Sequence, residues 1–171
     1  SVLCALTESD GLRTNSWWGK QSDVDMFVCT TDATEGCRIA QRIFEALAVD
    51  GERWLVNRSR GVLNLMRMEP TDIPAVKETV QVVLRHYRSP AEVLLGFDVD
   101  ACCCGYDGTA VWALPRCLRA LRTGTNVLNP LHAWPNRPTY EIRLGKYATR
   151  GYSVAVPALE EQRIDHGLIR R

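Results

Sequence analysis

The sequence predicts an α+β domain in which helices pack on a mixed β-sheet, and three observations support this fold class. Helical and strand-like patterns alternate along the chain, with no internal repeat or low-complexity segment. The 171 residues fit one domain spanning 1–171, since domains typically run to roughly 100–200 residues. The chain is 46% hydrophobic and 24% charged, which is typical of globular domains. No apolar run reaches the roughly 18 residues of a membrane-spanning helix, so no transmembrane segment is expected.

The first predicted elements are a strand and a capped helix. Alternating apolar residues predict a strand at Asp23–Val28. Asp32 follows, with Glu35 three positions later, which is the pattern of a helix cap and its supporting carboxylate. Apolar residues then recur at helical spacing to about Ala48, so an amphipathic helix is expected there.

Three strands are predicted after this helix. Apolar stretches at 54–57 and Val62–Met68 flank turn-forming residues at 58–61, which is typical of a β-hairpin. A valine-rich stretch at 80–86 predicts the third strand.

The rest of the chain continues to alternate between helices and strands. Ser89, Pro90 and Glu92 supply the cap, the first residue and the supporting carboxylate of a short helix. The elements predicted after it are a strand at 97–106, a turn at 107–108, a return strand at 109–114, a helix from Pro115 to Gly124, a helix from Pro138 to Gly151 and a strand at 152–156.

Cysteine usage predicts a reducing, intracellular environment. The chain has seven cysteines, an odd number, with no C-x-x-C pair and with three in a row at 102–104. This spacing argues against a secreted disulfide framework and against a structural zinc site. We therefore interpret the thiols as small buried apolar groups. The net charge of +1 gives no bulk electrostatic reason for a nucleic-acid or membrane partner, and leaves nucleic-acid binding open.

Two aspartate pairs are the strongest candidates for chemistry. Asp23 and Asp25 are two residues apart in a predicted strand, so both side chains project from the same face. Two adjacent carboxylates repel each other, and a bound Mg²⁺ would relieve that repulsion. An exposed strand face is the alternative explanation. Asp98 and Asp100 repeat this spacing, which favours a shared acidic cleft. A third carboxylate beside a D-x-D pair is what two-metal phosphoryl transfer requires.

Several stretches together resemble a known family. The S-D-V-D-M-F-V stretch at 22–28, followed by a capped helix, resembles the aspartate signature of the DNA polymerase β-like nucleotidyltransferase superfamily. More specifically, an ordered set of stretches resembles the nucleotidyltransferase-like segment that accompanies ankyrin repeats in large eukaryotic proteins: 80–85, 89–94, 96–100, 106–108, 113–116, 138–141, 146–147 and 150–151. The resemblance covers nearly the whole chain and implies a nucleotidyltransferase-like fold.

The resemblance also implies roles for individual residues. It implies that Asp23 and Asp25 bind Mg²⁺. It also implies a third carboxylate, which helps to activate an acceptor hydroxyl; Asp98 is the first choice for this role and Asp100 the second. It implies a nucleoside triphosphate as the ligand. Residues that the resemblance would place at the nucleotide are Ser1, Lys20, Ser22, Arg85 and Arg116; for the two arginines, a surface salt bridge is the competing interpretation.

One departure from the family pattern concerns the phosphate-binding turn. The family has a Gly-Gly or Gly-Ser turn upstream of the aspartates, where glycine allows the backbone to approach phosphate. Ser1 resembles the last residue of such a turn, with a helix expected to begin at 2–6, so we expect an N-terminally incomplete site. The stretch from Gly19 to Ser22 could replace the turn, but it lies very near the aspartates.

Two functions therefore stay open. One is a binding or structural module, without a full catalytic loop, that acts as an accessory subunit with protein partners in a larger assembly. The other is an active Mg²⁺-dependent nucleotidyltransferase. Trp17 and Trp18, an apolar pair in a polar stretch, are candidates for docking a partner or stacking a base, with core packing as the alternative.

Overall fold

The computed structural model describes residues 2–6, 23–48, 53–68, 76–132, 139–160 and 162. The strands in these segments are β1 (Val2–Leu6), β2 (Asp23–Val28), β3 (Arg53–Ser59), β4 (Val62–Met68), β5 (Val76–Val83), β6 (Cys104–Tyr106), β7 (Val111–Ala113), β8 (Thr125–Val127) and β9 (Ser153–Ala155). The α-helices are α1 (Ala33–Leu47), α2 (Pro90–Leu95), α3 (Pro115–Thr123) and α4 (Thr139–Thr149). None of these helices combines the length and the apolar character needed to cross a bilayer.

A seven-stranded sheet forms the centre of the fold, with the strand order β3-β4-β5-β2-β1-β6-β7. Strands β2 and β5 run parallel, and the other neighbours in this sheet are antiparallel. A second, parallel pair joins β8 to β9. The predicted α+β class with a mixed sheet is therefore confirmed.

Helix α1 covers one face of the large sheet. The Asp32 side chain accepts a hydrogen bond from the Glu35 backbone N–H at 2.8 Å, so the predicted cap is confirmed. The apolar stripe of α1 then packs on inward-facing residues of β2, β4 and β5. This core consists of Val28, Ile39, Ala40, Leu65, Val80 and Val82. Removing this apolar surface from water is the main term that stabilises the contact.

The opposite face of the sheet is covered at the carboxyl end of β2. Phe27 packs there with Val93 and Leu94 of α2. Ser89 caps α2 by accepting the Glu92 backbone N–H at 3.3 Å, as the sequence predicts. A third core, built from Val99, Tyr140 and Leu144, joins α4 to the segment after α2.

The strand predicted at 97–106 is wrong for most of its length. A single 3-10 turn occupies Asp100–Cys102, and only Cys104–Tyr106 is a strand. The Cys103 backbone N–H bonds the Asp100 carbonyl at 3.1 Å, which closes a local turn. The Asp100 carboxylate also accepts the Val127 N–H at 2.9 Å, so a distant strand holds this segment in its turn.

The helix predicted at 2–6 is also wrong, because these residues form strand β1. Strand β1 lies between β2 and β6, so both of its edges have backbone partners. Strand β8 was not predicted, and β5 runs from Val76 to Val83 where the sequence predicts 80–86. The predicted hairpin is confirmed as β3 and β4, with Gly61 at a left-handed φ of 84° in its turn.

Candidate functional site

Asp23 and Asp25 project from the same face of β2, as the strand spacing predicts. Their neighbours Val24 and Met26 point the other way and pack against the α1 core. Asp23 is exposed and Asp25 is half-buried. The pair therefore lies on the face of the central sheet that α1 does not cover.

The environment of Asp25 favours its protonated form. Burial is the largest cause that raises the pKa of Asp25, and the charge of Asp23 raises it further. The positive charges of Arg143 and Lys146 lower this pKa, which places α4 near the carboxylate pair.

A row of amide side chains continues from Asp25 across the sheet. The strand register places Asp25 opposite Gln81, Gln81 opposite Asn64, and Asn64 opposite Asn57. Residues directly opposite each other project from the same face. The Gln81 Nε2 atom also donates a hydrogen bond to Asp23 Oδ2 at 3.4 Å. We call these five residues, Asp23, Asp25, Asn57, Asn64 and Gln81, the polar face.

The polar face contrasts with the other side of the same strands. Leu65, Val80 and Val82 are buried against α1, whereas the five residues of the polar face are half-buried or exposed. A sheet interior is normally covered by apolar packing on both faces when strands run parallel. The carboxylates and amides of this row can accept hydrogen bonds, and the carboxylates can pair with a positive charge. The amides can also donate hydrogen bonds.

Sequence reasoning found the two aspartates of this row and missed its three amides. The available signal was a polar residue between two apolar neighbours, Asn64 between two leucines and Gln81 between two valines. The pairing of the strands was needed to place these amides beside Asp25.

The structure does not place Asp98 and Asp100 together on a strand face, because Asp100 begins a 3-10 turn; a shared cleft of Asp98 with the first pair stays a prediction. Asp98 forms an ion pair with Arg143, with Asp98 Oδ1 and Arg143 Nη1 2.9 Å apart. Asp100 is buried and forms ion pairs with Arg119 and with Arg116, the latter at 3.5 Å. Each carboxylate is thus neutralised by arginine.

The expected Mg²⁺ site was tested against this donor arrangement. Within the parts of the chain that the structure describes, no group of three or more His, Cys, Asp or Glu side chains is placed to hold a metal ion. The described carboxylates therefore do not fit the three-carboxylate arrangement of two-metal chemistry, and Mg²⁺ binding stays a prediction.

The two arginines expected at phosphates contact residues outside the polar face. The Arg85 guanidinium lies over the Tyr87 ring at 5.1 Å from its centroid. The Arg116 Nη2 atom donates to the Phe97 carbonyl oxygen at 2.6 Å, and its other nitrogen pairs with Asp100. Arg116 thus connects elements of the fold. The remaining candidates, Ser1, Trp17, Trp18, Lys20 and Ser22, lie outside the described residues.

Comparison with known proteins relates the chain to one protein family and to a protein of a virus. A family profile described as "Gabija anti-defense 2 family protein" matches residues 2–124. An uncharacterized protein of Acanthamoeba polyphaga mimivirus is 35% identical over 81 residues, which is 47% of this chain. That match covers 17% of the length of the viral protein.

These matches correct the family expected from the sequence. The resemblance to the DNA polymerase β-like nucleotidyltransferases and to the ankyrin-associated segment is wrong, because the profile that matches most of the chain describes a different family. The short D-x-D spacing and the capped elements that carried the resemblance also occur in other α+β domains. With its match over residues 2–124, the chain belongs to the Gabija anti-defense 2 (Gad2) family.

Proposed function

We propose that this chain is an anti-defense accessory protein that binds a component of the Gabija defence system through the polar face. The family match supports the anti-defense role. The observation that supports the polar face as the contact surface is the row from Asp25 through Gln81 and Asn64 to Asn57 across the middle of the sheet.

The chemistry of the polar face favours a partner that presents cationic and hydrogen-bonding groups. Asp23 and Asp25 supply two carboxyl groups at one end of the row, and Gln81 supplies both a donor and an acceptor. Complementary charge and hydrogen bonding give specificity and fast association at protein interfaces. A lysine or arginine from the partner would also relieve the repulsion between the two carboxylates.

Infection of cells that carry the Gabija system tests the proposal. We expect that co-expression of this chain restores plating of a phage that the system restricts, and that a tagged form of the chain co-purifies with a Gabija component. Asp25→Asn and Gln81→Ala should each weaken both effects, because they remove a charge or a hydrogen-bonding side chain from the polar face.

Gln41→Ala provides a matched control. Gln41 lies on the exposed side of α1, where it bonds only Glu45 among the described residues, so this change removes an amide remote from the polar face. We expect the Gln41→Ala form to restore plating and to co-purify like the unchanged chain. The Asp25→Asn and Gln81→Ala forms should do both less well. If the unchanged chain neither restores plating nor co-purifies with a component, the proposed role is wrong; if both polar-face variants are fully active, the contact surface is wrong.

A further inference from the structure

We infer that the outer edge of β3, a free edge among the residues that the structure describes, is a docking site for an extended, acidic segment of a partner protein, which would add to the sheet as a further strand. This inference concerns the outer backbone edge of β3, which adjoins the polar face at Asn57, and it stands on the geometry and charge of β3. Strand β3 is an outermost strand of the seven-stranded sheet and is seven residues long. An edge of this length offers a row of backbone groups for another strand to pair with.

The turn between β3 and β4 determines which backbone groups are available. Ser59 and Val62 are paired across a two-residue turn, and such a pair must exchange backbone hydrogen bonds. Hydrogen-bonded and non-bonded pairs alternate along an antiparallel ladder. The N–H and C=O groups of Trp54, Val56 and Arg58 therefore point away from β4, toward the free edge.

The side chains along β3 also favour a strand partner. Leu55 and Val56 are 52% and 47% exposed, although they lie next to each other in a strand and so project from opposite faces. An added strand would cover part of both side chains. The pairing of β3 with β4 continues without a register shift from Arg53 to Ser59, so no bulge twists this edge away from a partner.

The charge of this edge determines the chemistry of the partner. Residues 53–61 contain Arg53, Arg58 and Arg60 and no acidic residue. Among the described residues, none of these three arginines forms an ion pair. Two copies of β3 side by side would bring two sets of arginines together, which opposes pairing with a second copy of the chain. An acidic strand removes this repulsion and pairs with the arginines.

The experiment compares two labelled peptides of about ten residues, one of alternating valine and glutamate and one of alternating valine and lysine. We expect the acidic peptide to bind the chain at least about tenfold more tightly by fluorescence anisotropy, since charge complementarity favours it. Hydrogen exchange should slow at the amides of Trp54, Val56 and Arg58 when the acidic peptide binds, because those N–H groups gain a partner.

Two variants make the test specific to the edge. Val56→Pro removes an N–H that β4 does not use, and should weaken acidic peptide binding at least about tenfold. Arg58→Glu keeps the backbone and should reduce the preference for the acidic peptide. Arg122→Glu, an exposed charge reversal on α3, is the matched control and should bind like the unchanged chain.

Three results would overturn the inference: equal binding of the two peptides, unchanged binding by the Arg58→Glu form, or a dimer in solution that Val56→Pro dissociates. Circular dichroism checks that each variant is folded, and Arg58→Glu decides the question if Val56→Pro unfolds the chain. Phage plating with the Asp25→Asn and Gln81→Ala forms tests the polar face, whereas peptide binding tests the edge of β3. Failure of one proposal can therefore be distinguished from failure of the other.

Discussion

Asp25 lies in a half-buried position beside a second carboxylate, that of Asp23. Both burial and the neighbouring charge raise the pKa of Asp25, with burial as the larger cause. A carboxylate in an environment that raises its pKa is a candidate for binding, since a ligand can supply the missing stabilisation. Asp25 is therefore a candidate both because of its spacing from Asp23 in the sequence and because of its raised pKa in the structure.

The stability of the protein should depend on pH through this residue. The folded pKa of Asp25 is raised above its ordinary value of 3.8, so the folded state holds the proton more tightly than the unfolded chain does. The stabilisation from this group is then fully present below the unfolded pKa and is lost as the pH rises through the folded pKa. Asp25→Asn cannot ionise and should escape that loss.

We therefore expect Asp25→Asn to unfold at a higher urea concentration than the unchanged chain at pH 7, with a smaller difference at about pH 4. Urea titrations at the two pH values measure this. Glu45→Gln, an exposed change on α1, is the control for loss of a surface carboxylate. An Asp25→Asn form that is less stable than the unchanged chain at pH 7 would contradict the account.

At the scale of elements, Asp100 joins three parts of the chain. Its carboxylate lies in the 3-10 turn at Asp100–Cys102, forms ion pairs with Arg116 and Arg119 of α3, and accepts the Val127 N–H of β8. The neighbouring Ala101 N–H donates to the Oδ1 atom of the buried Asn126, also in β8, at 2.9 Å. The second aspartate pair of the sequence is thus explained by connections between elements.

Removal of this carboxylate should destabilise the protein strongly. Asp100→Ala leaves two arginines and a backbone N–H without their buried acceptor, and we expect a loss of about 3 kcal/mol in the free energy of unfolding. Asp98→Ala is the matched control, since the Asp98–Arg143 pair is more exposed and should contribute about 1 kcal/mol or less. Urea denaturation of both variants measures the difference, and equal losses would show that Asp100 has no special role in joining α3 to β8.

At the scale of the whole molecule, the cysteines report on how the cores are packed. The described cysteines 29, 37, 102, 103, 104 and 117 are free thiols. A hydrogen bond with Cys102 and then burial raise the pKa of the Cys103 thiol, and a hydrogen bond with Cys104 and then burial raise that of Cys117. Cys37 lies exposed on α1. The interpretation of the thiols as small buried groups therefore holds for Cys29, Cys103 and Cys117 and is wrong for Cys37.

Thiol labelling should follow this division. At neutral pH we expect Cys37 to react first, and Cys103 and Cys117 at least about a hundredfold more slowly, because only the thiolate reacts and these two become accessible when the protein opens. Mass spectrometry of the labelled peptides at successive times measures each rate. In denaturant all three should react at similar rates, which is the control; fast labelling of Cys117 in the folded protein would contradict the packing described.

Local sequence patterns determined most of the elements of this protein and the first half of its candidate site. The caps at Asp32 and Ser89, the hairpin turn at Gly61 and the alternation in β2 depend on contacts within a few residues, so the sequence predicts them directly. The same alternation places Asp23 and Asp25 on one face. These features need no knowledge of distant parts of the chain.

Contacts between distant segments decided the rest. The side chain of Asp100 is held by α3 and β8, so its segment forms a turn although the local sequence resembles a strand. The row from Asp25 to Asn57 exists only because β2 pairs with β5, and β5 with β4, at one particular register. Strand pairing and buried ion pairs join residues far apart in sequence, and their free energy depends on which partner is present, so only the tertiary structure shows where the polar face lies.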